Sequence, residues 1–314
     1  FVTTSAYTMH RMFDSCKKLE YLDLANFHTP SLTNMNQIFK GCESLKWINI
    51  SNFDTSQVTD MASAFANCLV LTTLDVSNFN TSKVIDMSGL FSKCKVLTSL
   101  DLRNFDTRSV NSMYALFDNC NSLKSSDITH FDTSKVKSMG HMFDQCNALT
   151  SLNLSNFYTS LVTNVDNMFW GCNKLEYLDV SNFDTKKMNN LNNLFNYVSS
   201  LKFLNLSSFD IFNTTTVNSI LGSTNPNLIL CYNESRVSSA FIEQARGKTN
   251  SCFQLCLMRS MKWILALEMC VDNCYSETKY KFEYQNICYE ECPLRTQLKS
   301  DSTYLCEDCP NYYS

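Results

Sequence analysis

One register runs through this chain and leaves it little freedom in how to fold. Cysteine returns every 26 residues, at Cys16, Cys42, Cys68, Cys94, Cys120, Cys146 and Cys172. Phenylalanine does the same at Phe13, Phe39, Phe65, Phe91, Phe117, Phe143, Phe169 and Phe195. A second series runs from Phe27 through Phe53, Phe79, Phe105, Phe131, Phe157 and Phe183 to Phe209. A fixed period of this size marks a solenoid, whose repeats bury their apolar side chains only by stacking on one another.

The segment from Phe79 to Phe105 shows what one repeat contains. Leu97, Leu100 and Leu102 follow the strand pattern L-x-x-L-x-L, with Asp101 pointing outward between two inward leucines. Val84, Met87, Leu90, Phe91 and Cys94 fall at helical spacing and predict a short helix with one apolar face. Between strand and helix lies Asn80-Thr81-Ser82, with counterparts at Asp54-Thr55-Ser56 and Asp132-Thr133-Ser134. Those short oxygen-bearing side chains are suited to accept the unpaired N–H groups that open a helix. Stacked strands pair in parallel about 4.8 Å apart over a continuous core. The expected fold class is therefore α/β: a leucine-rich-repeat solenoid with a parallel sheet on its concave face and short helices on its convex face. A small disulfide-rich β domain follows it.

Phrases such as LDVSNFNTSKVIDMSGLFSKC and LNLSNFYTSLVTNVDNMFWGC resemble the BspA-type leucine-rich repeats of microbial surface proteins. The resemblance covers roughly two thirds of the chain, in a single register. It implies an extracellular, non-catalytic protein used for adhesion or surface display, and it names no ligand.

Departures from the register mark weak points and boundaries. Ser126 replaces an inward leucine and His130 the usual asparagine, so the core is expected to be weaker there; Val198 replaces a cysteine. After Phe209 the register slips. Leu228 to Cys231 reads as a closing strand, and Arg236 to Arg246 as a capping helix stopped by Gly247. The expected domains are a solenoid of about eight repeats over 1–227, its cap over 228–250, and a cysteine-rich domain over 251–314.

In that last domain Cys252 and Cys256, Cys270 and Cys274, and Cys288 and Cys292 form C-x3-C pairs, with Cys306 and Cys309 closing the series. Zinc sites favour C-x2-C spacing and often histidine, and only the last pair has that spacing, so disulfides are expected and no metal. Eight cysteines allow 105 pairings and the sequence does not choose among them; pairing neighbouring modules first to third and second to fourth is one, giving Cys252–Cys270, Cys256–Cys274, Cys288–Cys306 and Cys292–Cys309. Alternating stretches such as Lys279 to Tyr284 suit hairpins. The repeat cysteines occupy an inward position and are expected to be free, buried thiols.

A net charge of −4 with 18% charged residues supplies no concentrated basic face, which argues against nucleic acid as a partner. No apolar run reaches the ~18 residues that span a bilayer. Leu257 to Met269 comes nearest and is broken by Arg259, Lys262 and Glu268. Phe1 stands in repeat phase, without a signal peptide or polar cap before it. Either upstream residues are missing or another molecule covers that end. Six sequons, at Asn49, Asn80, Asn153, Asn205, Asn213 and Asn233, make N-linked glycans an expectation in a secreted eukaryotic protein.

Function is expected on the concave face. Its outward positions hold Tyr21 and Trp47 toward one end, Tyr177 and Phe203 toward the other, with Thr73, Ser99, Ser125 and Ser151 between. A neighbouring column holds Asp23, Asp75, Asp101, Asp127 and Asp179. Aromatics in such a place suit a carbohydrate or protein ligand, and an acidic ladder suits cations or basic partners; the same residues also read as an ordinary solvated sheet face. Acidic pairs recur with the repeat, so none is singled out as an acid and a base. No enzyme activity and no cofactor is expected. Two readings remain. One is an adhesion or ligand-binding surface protein. The other is a structural subunit of a glycosylated filament or coat, assembled from copies of itself head to tail through the first repeat and the C-terminal region.

Overall fold

Equivalent residues of consecutive repeats lie side by side. In the computed structural model, which describes residues 3–212, 216–252 and six short strands between 262 and 308, the Phe91 and Phe117 rings stack with centroids 5.9 Å apart. The same stack runs unbroken from Phe13 to Phe195 at 5.4–6.1 Å. Every repeat cysteine from Cys42 to Cys172 is buried and free, its thiol donating to the carbonyl of a phenylalanine in the preceding coil. Burial pushes these thiols up, Cys42 to about 11 and Cys94 to about 12, so they stay protonated and act as small apolar side chains.

The chain divides into two compact units. One comprises Phe1–Leu228 with Asn233–Lys248; the other comprises Ile229–Tyr232 with Thr249–Ser314. The first is the leucine-rich-repeat solenoid. In it β1 (Tyr21–Asp23) pairs in parallel with β2 (Trp47–Asn49), and β3 (Tyr177–Asp179) with β4 (Phe203–Asn205), each in the 26-residue register. Residues 73–75, 99–101, 125–127 and 151–153 do not close into strands. The difference follows the outward residue, aromatic where strands form (Tyr21, Trp47, Tyr177, Phe203) and Thr or Ser where they do not, in line with the greater strand preference of aromatic side chains. A second column of parallel bridges, from Thr8 through Asn34, Asp60, Asp86, Ser112, Ser138 and Asn164 to Asn190, holds the coils together throughout.

The short helices expected on the far side of each repeat are replaced by stacked turns. In the coil of Phe91, the N–H groups of Met87, Gly89, Phe91 and Lys93 donate to carbonyls of the next coil, whereas those of Leu90, Ser92 and Cys94 close four-residue turns on carbonyls three residues back. An α-helix would spend all these donors on itself. Gly89 and Lys93 also sit at φ +61, and this left-handed pair recurs in the other coils, which no α-helix accommodates. The apolar spacing is the same for both arrangements, and Val84, Met87, Leu90, Phe91 and Cys94 are fully buried. Among the described residues the α-helix is α1 (Ser239–Ala245), capped by the Ser238 side chain and followed by Gly247 at φ +80.

Polar side chains also stack. Thr3, Thr29, Thr55, Thr81, Thr107, Thr133, Thr159 and Thr185 are buried, and each hydroxyl donates to a carbonyl of the next coil. The residues expected to cap helices instead close turns, with Asp54, Asn80 and Asp132 accepting from the backbone N–H two residues on. Asn78, Asn104 and Asn182 each donate to three carbonyls of the preceding coil. His130 stands where this series has an asparagine, and nearby the Ser126 hydroxyl is buried without a partner among the described residues; a buried polar group left unpaired costs free energy.

In the second unit β5 (Ile229–Cys231), the expected closing strand, pairs in parallel with β6 (Thr249–Asn250). The segment 228–250 is thus shared between the units. Further on, β7 (Lys262–Ile264) and β8 (Met269–Val271), β9 (Phe282–Tyr284) and β10 (Ile287–Tyr289), and β11 (Thr296–Leu298) and β12 (Cys306–Asp308) form three antiparallel pairs, as the alternating stretches foretold. The parallel pairing of β7 with β10 joins two of them into one sheet.

Cys252 is bonded to Cys231, not to Cys270. The pairing of β5 with β6 brings the two sulfurs together, because Ser251 donates to Leu230 immediately beside them. The actual partner, Cys231, lies outside the spacing series, so the series concealed it. Cys256, Cys274, Cys292 and Cys309 lie outside the described residues, and the side chains of Cys270, Cys288 and Cys306 do too.

Candidate functional site

The outward side of β1 and β2 carries two exposed aromatic rings in register. Tyr21 is 63% exposed and Trp47 44%, and the two are direct cross-strand partners. The residue before each is charged: Glu20 and Lys46 pair at 2.7 Å, and the Lys46 ammonium lies 5.8 Å from the centre of the Tyr21 ring. Hydrogen bonding to Glu20 raises the Lys46 pKa. The ion pair is exposed and adds little stability, but with the cation–π contact it limits where the Tyr21 ring can go.

The same arrangement returns at β3 and β4. Lys202 pairs with Glu176 at 2.7 Å and lies 5.9 Å from the Tyr177 ring, itself 45% exposed. Phe203, expected on the open face, is only 2% exposed. All three side chains of β4 are buried, so both faces of that strand are covered and Phe203 cannot receive a ligand. The four charged partners were not among the residues read as functional. The signal was there, in Glu–Tyr followed 26 residues later by Lys and a large aromatic, twice in one chain.

The aspartate column serves the backbone. Asp75, Asp101 and Asp127 each accept from the N–H two residues on, as do Asp23, Asn49, Asn153, Asp179 and Asn205. Hydrogen bonding to Arg103 holds the Asp101 carboxyl at about 2, and Ser77 and Thr129 lower Asp75 and Asp127 in the same way. One function of this ladder is therefore to close a turn in every coil.

The sequons differ in what they offer. Asn80, Asn153 and Asn233 are exposed, and Asn49 is half-buried. Asn205 is 1% exposed, and its amide nitrogen donates to Asp179 at 2.9 Å, so the fold leaves no room for a glycan there. Asn213 lies outside the described residues.

A polar cluster on the turn side of the coils escaped the sequence reading. His141 reaches Asp144 at 2.7 Å through Nδ1 and Asp166 at 3.3 Å through Nε2, with the Tyr114 ring packed edge-on at 5.4 Å. A Cβ on Gly140 would fall 2.3 Å from Asp166 Oδ1, so any larger residue there would displace the Asp166 side chain from this arrangement. The two carboxylates, Asp144 first, raise the His141 pKa from 6.5 to about 9. Burial lifts the Asp144 carboxyl although His141 pulls it down, whereas Asp166 falls, His141 being the main cause. The His141 contribution to stability is complete below pH 6.5 and is lost as pH rises through about 9. Thermal unfolding measured from pH 6 to 10 is expected to show that decline in the native chain and a flatter profile in His141→Asn. Equal slopes in the two proteins would contradict the pairing.

A sequence profile of the family described as "Mycoplasma protein of unknown function, DUF285" matches residues 7–126 and again residues 111–228. The chain belongs to the DUF285 family. The DUF285 matches fall on the stacked coils and stop where β5 begins. No curated protein sequence matches this DUF285 chain. Among solved structures, it is similar to a leucine-rich repeat protein from Bacteroides ovatus at 17% identity and a TM-score of 0.36, covering 72% of this chain and 66% of that one, just under two thirds of its length. A leucine-rich cell surface protein from Faecalibacterium prausnitzii follows at 16% identity and a TM-score of 0.24, covering 77% and 79% of the two chains. The pneumococcal vaccine antigen PcpA gives 13% identity and 0.27, covering 74% and 70%. Among the described residues no helix is long and apolar enough to cross a membrane.

Proposed function

We propose that this DUF285 chain is an extracellular surface protein that binds a carbohydrate or protein ligand, without catalysis, on the strand face around Tyr21 and Trp47. The observation that carries the reading is that pair of rings, exposed side by side on a paired strand and flanked by a Lys46–Glu20 ion pair. Aromatic faces bury much area at little entropic cost, and a charged rim gives orientation. The Cys231–Cys252 bond supports an oxidising compartment, and the exposed sequons at Asn80, Asn153 and Asn233 fit a glycosylated product. An open Trp47 favours ligand binding over the filament reading, since a coat subunit has no need of exposed aromatics on this face.

The test is binding of the secreted full chain to arrays of glycans and immobilised matrix proteins. Trp47→Ala and Tyr21→Ala are each expected to lower affinity by about ten- to a hundredfold, as at an interface hot spot, with unchanged thermal stability. Binding that ignores both substitutions would end this assignment. Ordered fibres from a chain that captures no ligand would favour the filament subunit.

A further inference from the structure

Beyond the turn at Asn80–Ser82, on a different side of each coil from the aromatic pair, lies an open groove of about 640 Å³. Lys83, Lys135 and Lys137 line it, together with Ile85, Asn111 and Leu161. We propose that this groove is a second binding surface, and that its occupant is a polysaccharide carrying sparse carboxylates.

The floor of the groove is rigid. The N–H groups of Ile85, Asn111 and Lys137 donate to the carbonyls of Thr59, Ile85 and Asn111, each at 2.8 Å, so four consecutive coils present these residues in one straight row. The outer row places lysine on alternate coils, at Lys83, Lys135 and Lys187, with Ser109 and Leu161 on the coils between. Two coils span about 10 Å at the usual strand spacing. Lys83 and Lys135 thus stand two coils apart on a fixed frame, and Lys137, two residues from Lys135, adds a third charge on the same coil.

They are also uncommitted. Among the described residues no ion pair engages Lys83, Lys135, Lys137 or Lys187. Lys83 donates to the neutral Gln57 side chain, and no carboxylate lines the groove. Asp132 feels Lys135, but its Oδ1 is held by the Ser134 N–H. In a chain of net charge −4, three lysines collected in a groove without acids are selective for an anion.

The remaining lining decides which anion. Ile85 is 45% exposed and Leu161 37%, with hydroxyl and amide groups of Ser82, Ser109 and Asn111 between them. A sugar polymer presents apolar ring faces, hydroxyls and, on a uronic acid, a carboxylate, and so meets all three kinds of lining. Duplex nucleic acid carries a charge about every 1.7 Å and is held by dense basic surfaces, which three lysines spread over two coils do not provide. Lysine, a hydrated point charge without the planar fork of arginine, can meet an isolated carboxylate without bidentate geometry, and few, spread charges match a polymer whose anionic groups are sparse.

The experiment is calorimetric titration of the full chain with hyaluronan oligosaccharides at low and physiological salt, beside neutral dextran, heparin and duplex DNA. Hyaluronan is expected to bind, more weakly as salt rises, and dextran not to bind. The triple variant K83Q/K135Q/K137Q is expected to lose about tenfold or more in affinity at unchanged melting temperature, since all three side chains are exposed. The charge-matched variant K40Q/K93Q/K95Q, which alters the turn side, is expected to bind as the native chain does. Absence of hyaluronan binding, tighter binding of heparin or DNA, or equal losses in the two variants would each overturn the proposal. None of these outcomes depends on whether the Tyr21–Trp47 face has a ligand, so failure here and failure there are distinguishable.

Discussion

Phe117→Ala is expected to destabilise the solenoid unit by about 3–5 kcal/mol, read from the denaturant midpoint. The ring is fully buried and stacked on both sides, 5.9 Å from Phe91 and 5.6 Å from Phe143. Truncation removes one large apolar side chain and leaves both neighbours facing a cavity that rigid coils cannot collapse. Each coil touches only its neighbours, so a defect at mid-array also weakens the coupling between the two halves. The transition is expected to broaden, with a lower slope in denaturant. Phe13→Ala, at a partly exposed ring that among the described residues stacks on Phe39 alone, should cost less than half as much. A loss below about 1 kcal/mol at Phe117 would mean that the rings do not form the load path between coils.

Most of this architecture was legible because a repeat states its own register. Once Phe91 and Phe117 stand in equivalent places, stacking follows, and with it the burial of the cysteines and leucines. Hydrogen bonding was less legible. Val84, Met87, Leu90 and Phe91 face inward in a helix and equally in a row of turns, and only the destination of the N–H groups separates the two. Side-chain periodicity is silent on that destination. The left-handed residues gave a faint signal, since Gly41, Gly89 and Gly171 share one of two phases with Asn67, Asn119, Asn167 and Asn193, residues that tolerate positive φ, but Arg11, Lys93 and Tyr197 occupy those phases too.

The candidate site was legible to a similar depth. Alternation along the strand placed Tyr21, Trp47 and Tyr177 outward, and they are exposed. The same rule failed at Phe203, because alternation tells which side of a strand a residue occupies and not whether that side is open. Cys231 was invisible for a related reason: its partner is fixed by the pairing of β5 with β6, a long-range fact with no trace in cysteine spacing. The His141 cluster breaks the repeat at single positions in neighbouring coils, so a search for recurrence passes over it.

The buried threonines show how far a polar column can hold such a stack together. Thr81 donates its hydroxyl to the Asp106 carbonyl at 3.0 Å and accepts from the Asp106 N–H at 2.7 Å, in a position closed to water. Thr81→Val keeps shape and volume but strips both partners from a buried peptide group. Each unsatisfied group costs about 1–3 kcal/mol, so a loss of about 2–4 kcal/mol is expected from the two together. Thr81→Ser retains the hydroxyl and loses a methyl group, and should cost about 1 kcal/mol. Amide hydrogen exchange supplies the local reading: the Asp106 N–H should exchange much faster in the valine variant and stay protected in the serine variant. If valine proved as stable as threonine, the column would be a consequence of stacking. A large loss in valine with little in serine would make it one of the causes, and would explain why threonine stands at every equivalent position from Thr3 to Thr185 in a core that is otherwise predominantly apolar.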